Sequence, residues 1–172
     1  MDFEYSEEQK MLKKNCRDFI EREIAPVVDD YEKKGITISE EEAKNFIKKM
    51  IPLGYVVGPI DEDHGGLGLD FVSYGLMQEE LAYVWPSLSN IVHITALATL
   101  SLLQGAGEDL TRDYIGPLLS GDLIGSLAIS EPDVGSAAPR GIKTRAVLDG
   151  SEYVVTGTKT WVSNGSISGI IN

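Results

Sequence analysis

The stretch Ala128-Ile129-Ser130-Glu131-Pro132-Asp133-Val134-Gly135-Ser136 closes an apolar run and opens a turn, and the rest of the chain is organised around it. The run before it, residues 123–129, is short and apolar, the pattern of a strand that ends at Ile129. Pro132 then fixes its own φ and biases Glu131 toward an extended backbone. Gly135 adds a flexible amide, and Ser130 and Ser136 add hydroxyls. Such a loop offers several backbone N–H groups and two hydroxyls, suited to a ring carbonyl or to phosphate oxygens. It is equally an ordinary Ser/Pro/Gly turn, and the residues alone favour that plainer reading.

Upstream of this loop the pattern is helical. Ser6-Glu7-Glu8-Gln9 forms a capping box, in which the Ser hydroxyl and the Gln side chain satisfy open backbone N–H groups. Leu12, Cys16, Phe19, Ile20 and Ile24 recur at helical spacing, and Pro26 fits an ending. Ser39-Glu40-Glu41-Glu42 opens a second helix by the same logic, stopping near Pro52-Leu53-Gly54. Residues 61–68 carry three glycines in four positions and read as a loop. Further helices are expected over about 71–83, 88–103 and 110–119. The one at 88–103 is nearly uncharged, which implies burial or a cavity wall.

After Gly121 the grammar changes. Residues 123–129, 144–148 and 153–158 are short and β-branched, and Asp149-Gly150 between the last two is a hairpin signal. The expected fold class is therefore α+β: an all-α N-terminal domain over 1–120 and a middle β-sheet or barrel domain over 121–172. Residues 167–172 look like the entrance to a further strand. A small sheet would be left with unpaired edges, so this β domain is expected to be truncated.

The chain has 172 residues, 42% of them hydrophobic, enough for a buried core. A net charge of −12 argues against a nucleic-acid partner, which needs clustered Lys and Arg. The single cysteine cannot form an internal disulfide, and Cys16 reads as a packed thiol in a reducing compartment. No basic segment precedes an apolar core at the N-terminus, and no apolar run approaches the roughly 20 residues of a membrane span. A cytoplasmic protein without membrane insertion is the expectation. The two histidines, His64 and His93, have no Cys companions for zinc. Gly65-Gly66-Leu67-Gly68 neither follows a strand nor matches a dinucleotide fingerprint. No nucleophile-elbow motif is present.

Residues 128–136 resemble the acyl-CoA dehydrogenase signature Ala-Leu-Thr-Glu-Pro-x-Ala-Gly-Ser-Asp, with Ser130 for Thr and Val134 for Ala. Gly157-Thr158-Lys159-Thr160-Trp161-Val162-Ser163-Asn164-Gly165 resembles that family's Gly-x-Lys-x-Trp-Ile-Thr-Asn element. Residues 59–70 and 114–125 are similar to two further family segments, so the likeness covers nearly the whole chain. It departs at Ala137, where the family has Asp, at His64 for Tyr, and at Ser163 for Thr, which keeps the hydroxyl.

The resemblance implies FAD as cofactor and an acyl-CoA thioester as substrate. It places Leu127, Ala128, Ile129, Ser130, Gly135 and Ser136 along the flavin, with Ser130 on the pyrimidine side of the ring. Trp161 and Val162 lie near the isoalloxazine, Ser163 offers its hydroxyl to flavin N5, and Ser136 also meets the substrate. In the implied reaction a base removes the α-proton while a hydride leaves the β-carbon for N5. Donors at the pyrimidine carbonyl and N5 stabilise the negative charge that develops there. The helix at 88–103 joins the acyl pocket, or is plain core. No Arg or Lys lies between Leu81 and Leu103 to pair with a second carboxylate, so an uncharged acyl group is expected.

The family's catalytic carboxylate comes from a C-terminal helical domain expected to be missing here, so no residue of this chain takes that role. Electron-transferring flavoprotein is the implied electron acceptor, and the full-length form is expected to be a homodimer or homotetramer. The alternatives are an acyl-CoA oxidase, or a non-catalytic fragment or split subunit contributing only part of a flavin site.

Overall fold

Helix starts are set by local chemistry before any packing. In the computed structural model, which describes residues 4–135 and 141–172, Ser6 caps α1 (Glu7–Glu23) through the expected reciprocal box with Gln9. Ser39 caps α3 (Glu40–Met50) in the same way through Glu42. Asp70 opens α4 (Phe71–Val84) by accepting from the N–H groups of Val72 and Ser73. The apolar α5 (Pro86–Gly105) and then α6 (Glu108–Leu119) complete the helices once α2 is counted.

That α2 (Ala25–Lys34) corrects the reading of Pro26. The proline starts a helix instead of ending the region. In a first turn its missing N–H has no helical partner to lose, so proline is tolerated there. One residue, Ile24, separates α1 from α2, and Gly35 ends α2 at φ +59°. The 61–68 loop also contains a short 3-10 turn, Glu62–His64, capped by Asp61.

The helices close on a shared core. α1 packs on α4, α4 on α5, and α5 on α6. Cys16, Ile20, Ile47, Met50, Tyr55, Met77, Leu81, Trp85, Leu88 and Val92 are buried together there. Trp85 is central to it, with ring centroids of Tyr31 and Phe46 at 4.9 and 5.4 Å. One buried carboxylate, Glu80, ties α4 to α1. Arg17 donates to it through Nε (2.6 Å) and a terminal nitrogen (3.0 Å), and Lys13 lies 3.4 Å away. Burial pushes the Glu80 carboxyl up, but these two cations outweigh it and hold it below its ordinary value.

With 20 residues, α5 is long and apolar enough by length and composition to cross a membrane. This corrects the expectation that no run approaches that size: the helix extends past 88–103 at both ends. Its buried face includes Thr95 and Thr99, whose hydroxyls donate back to the carbonyls of Ile91 (2.9 Å) and Thr95 (2.8 Å). The helix is held between α4, α6 and the first strand.

The β part is smaller than expected. β1 (Gly125–Ser126) pairs in parallel with β4 (Ile170–Ile171), and β2 (Arg145–Asp149) pairs antiparallel with β3 (Glu152–Thr156). Of the strand expected at 123–129, only two residues form a ladder. Ile124 instead enters the helical core, and Gly125 lies so close to α5 that a Cβ would stand 2.5 Å from that of Ala98. The hairpin forms as its sequence predicts, with Asp149 opposite Glu152 and Gly150 at φ +64°. Every residue of β2 and β3 is exposed. Among the described residues the strands form two two-stranded sheets and no barrel.

Candidate flavin-facing site

The 128–136 loop begins as the strand β1 lets go of β4. Ala128 still donates its N–H to Asn172 (2.8 Å), and the chain then turns at Glu131, which exchanges backbone hydrogen bonds with Val134. Glu131 is 4% exposed and is the anchor of the loop. Its carboxylate accepts from the Thr144 hydroxyl (2.6 Å) and from the N–H groups of Lys143 (2.6 Å) and Thr144 (2.9 Å). The Lys159 ammonium donates to it as well (3.1 Å). The Thr144 hydroxyl and the two N–H groups, with Lys159, hold the Glu131 carboxyl at about 2.

Lys159 carries the second loop to the first. It also donates to the Ile129 carbonyl (3.1 Å), and Thr160 N–H donates to the Ser130 carbonyl (2.9 Å). Residues 128–131 and 159–163 therefore run side by side. From β1, the Ser126 hydroxyl donates to the Ser163 carbonyl (2.7 Å). The Asn164 amide donates to the carbonyls of Ile91 (3.1 Å) and Gly125 (3.0 Å), pinning the second loop to α5.

What this leaves unpaired is what a flavin ring needs. The N–H groups of Ile129, Ser130 and Ser163 and the hydroxyls of Ser130 and Ser163 have no hydrogen-bond partner among the described residues. The Thr160 hydroxyl is buried and also lacks one. Ile129 is exposed, and Trp161 is 87% exposed at φ +53°, a left-handed backbone that bulky residues seldom adopt. Two tethered loops thus present an indole face, an apolar side chain and free donors together. These residues fit FAD.

Leu127, Ala128, Val162 and Ser163 are half-buried on the same loops, and Gly135 is exposed. Ser136 and Ala137 lie outside the described residues. Sequence reasoning missed Glu131, Lys159, Asn164 and Ser126 as the parts that hold the site. The partners of Glu131 lie 12, 13 and 28 residues away, so no local spacing announces them.

A second feature lies among the helices. Between α4 and α5 lies a cleft of about 570 Å³ whose walls include Phe71, Tyr74, Gly75, Gln78, Ser89 and His93. Glu79 also lines it, and no Arg or Lys does. Asn90, which also lines it, belongs to the same helical turn as Ile91, whose carbonyl accepts from Asn164.

A family model described as acyl-CoA dehydrogenase, N-terminal domain, matches residues 6–122. The chain belongs to the acyl-CoA dehydrogenase family. It is 34% identical over 167 residues to "Probable acyl-CoA dehydrogenase YngJ" of Bacillus subtilis, covering 96% of this chain and 42% of that one. Among solved structures it is similar to an acyl-CoA dehydrogenase from Geobacillus kaustophilus (31% identity, TM-score 0.82, 99% of this chain and 43% of that one). It is also similar to a glutaryl-CoA dehydrogenase from Mycobacterium smegmatis in complex with FADH2 (27% identity, TM-score 0.81, 97% and 42%). The chain therefore spans less than half the length of these relatives. Acyl-CoA dehydrogenases as a family carry out FAD-dependent dehydrogenation, and the helical region with a small sheet matches their N-terminal domain and part of the middle one.

Proposed function

We propose that this chain supplies the flavin-facing loops and one wall of the acyl pocket of an FAD-dependent acyl-CoA dehydrogenase acting on an uncharged acyl thioester. The observation that carries this reading is the tethered pair of loops, 128–131 and 159–163, with free donors at Ser130 and Ser163 beside exposed Trp161. In it, Leu127, Ala128, Ile129, Ser130 and Gly135 line the cofactor, together with Ser136. The helices to residue 120 and the strands after it form the two adjoining domains.

When bound, FAD supplies the acceptor for the hydride lost from the acyl β-carbon. The chain's own contribution is electrostatic. The Ser130 N–H and hydroxyl serve the pyrimidine side and the Ser163 hydroxyl serves N5, so fixed donors meet negative charge where it develops. Trp161 and Val162 cover the ring and exclude water. Glu131 is excluded as the α-proton base: its hydrogen bonds hold its carboxyl at about 2, far too weakly basic for that work near neutrality. The base comes from another part of the protein.

The α4–α5 cleft suits the acyl group. No Arg or Lys lines it, and Glu79 on its wall already holds Lys13 (3.3 Å), so it disfavours an acyl chain that ends in a second carboxylate. This separates it from a glutaryl substrate despite the likeness of fold. Electron-transferring flavoprotein as acceptor and a homodimeric or homotetrameric assembly complete the reading.

The test is anaerobic addition of saturated acyl-CoAs to the complete flavin-loaded protein while flavin absorbance is followed. Bleaching by an uncharged acyl-CoA is expected, with glutaryl-CoA at least ~tenfold less effective. Unchanged absorbance with every acyl-CoA would sink the proposal. Rapid reoxidation by oxygen would make the protein an oxidase instead.

A further inference from the structure

Three polar side chains of the α4–α5 cleft are linked to one another. Gln78 donates through Nε2 to the Tyr74 hydroxyl (2.9 Å), and its Oε1 accepts from the Ser89 hydroxyl (2.9 Å). His93 stands on the same wall, its ring 6.0 Å from that of Tyr74. Its Nδ1 is buried and has no partner among the described residues. An imidazole nitrogen sealed from water and unpartnered is better left bare than protonated, because an N–H buried without an acceptor is the rarer and costlier arrangement. A neutral imidazole carries its proton on one nitrogen only. The proton therefore sits on Nε2. Burial pushes the His93 ring toward the neutral form, which agrees with a single proton.

A half-buried ring with one nitrogen sealed offers its other nitrogen, a donor, to the cleft. The Asn90 amide on that wall also lacks a partner among the described residues but is exposed to water, the Tyr74 hydroxyl is already engaged by Gln78, and the remaining lining is largely aromatic or small. An alkyl group entering the cleft would strip water from Nε2–H and return nothing, whereas an oxygen acceptor would restore the bond.

We infer that His93 is a specificity-determining residue of the cleft, and that the preferred acyl group carries an uncharged oxygen, as hydroxyl, ketone or ether, placed to accept from its Nε2–H. This rests on the acyl-CoA dehydrogenase reading and narrows its substrate class from uncharged acyl groups to oxygenated ones. His93 acts in recognition and touches no reacting carbon.

The experiment compares plain and ω-hydroxylated acyl-CoAs in pairs of equal length, from butanoyl to octanoyl, on the complete flavin-loaded protein. For at least one length kcat/KM is expected to be about tenfold or more higher for the hydroxylated member, the scale of one matched polar contact. His93→Leu is expected to bring that ratio to about one while plain acyl-CoAs still bleach the flavin. His93→Gln, which keeps an N–H donor, is expected to retain part of the preference. Should His93→Leu fail to hold flavin, the wild-type ring decides. The His93 Nε2 resonance, assigned by its loss in His93→Gln, is expected to shift when ω-hydroxyhexanoyl-CoA binds to the pre-reduced protein, and not with hexanoyl-CoA. Ratios of about one at all lengths in a wild type that bleaches with plain acyl-CoAs would overturn the role of His93 alone. So would a preference that survives His93→Leu, or an unmoved Nε2 resonance. A flavin that no acyl-CoA bleaches would overturn both readings.

Discussion

The two tryptophans of this chain report opposite kinds of structure. Trp85 is 1% exposed, packed against Tyr31 and Phe46 where α4 hands over to α5. Trp161 is 87% exposed on a loop held in a left-handed backbone. Around Trp85 the apolar residues of the helices have met each other and the core is closed. Beyond residue 125 the reverse holds: Val147, Leu148, Tyr153, Val154 and Val155 of the hairpin are all exposed, as are Ile129 and Trp161. One region carries stability in side-chain burial. The other holds its shape through hydrogen bonds, above all those of Glu131 and Asn164, and leaves its apolar and donor groups available.

This contrast can be broken from either side. The largest effect is expected from Trp85→Ala, which removes a fully buried aromatic side chain and should cost about 3–5 kcal/mol in urea unfolding. Next comes Gly125→Ala. Its new Cβ would stand 2.5 Å from that of Ala98, so β1 must move off α5, at about 1–3 kcal/mol. Because Asn164 is bound to the Gly125 carbonyl, this variant should also lower FAD retention, which a helical-core change such as Ile47→Val should not.

Acid should loosen both regions through two carboxylates. Glu42 accepts from the Ser39 and Tyr31 hydroxyls and sits at about 2, as Glu131 does. Both values are depressed below the ordinary carboxylate range, so the stability they contribute is fully present above about 4.5 and lost as pH falls toward about 2. Unfolding followed across that window should steepen with acidity. Glu131→Gln should flatten the acid response of the flavin loops and leave that of the helices, which Glu42→Gln should flatten in turn.

The smallest effect on folding is expected from Trp161→Gly. Relief of the left-handed strain offsets the added freedom of the unfolded chain, leaving stability within about 0.5 kcal/mol. FAD retention should nevertheless drop by up to ~tenfold, as expected for loss of one ring contact. A large stability loss here would show that Trp161 belongs to the folded core after all.

Much of the helical region was legible from residues close in sequence. The Ser6–Gln9 and Ser39–Glu42 boxes, the Asp149-Gly150 hairpin and the apolar character of α5 are local signals, and each element formed where its signal lies. Pro26 was misread because a proline marks the start of one helix as well as the end of another. The 123–129 strand was overextended because a short apolar run reads alike whether it pairs in a sheet or, as with Ile124, packs under helices.

The candidate site divides the same way. Ser130, Trp161 and Ser163 were visible as members of two motifs, and the sequence by itself determined the family and the residue types proposed to meet a flavin. Only the tertiary structure decided that the motifs lie side by side, that Glu131 and Lys159 clasp them, that Asn164 fastens them to α5, and that His93 is left with an unpaired nitrogen. Caps and turns are short-range bonds between neighbours in the chain, whereas Asn164 reaches its partner across 73 residues. A contact of that span exists only after the helices have closed their core.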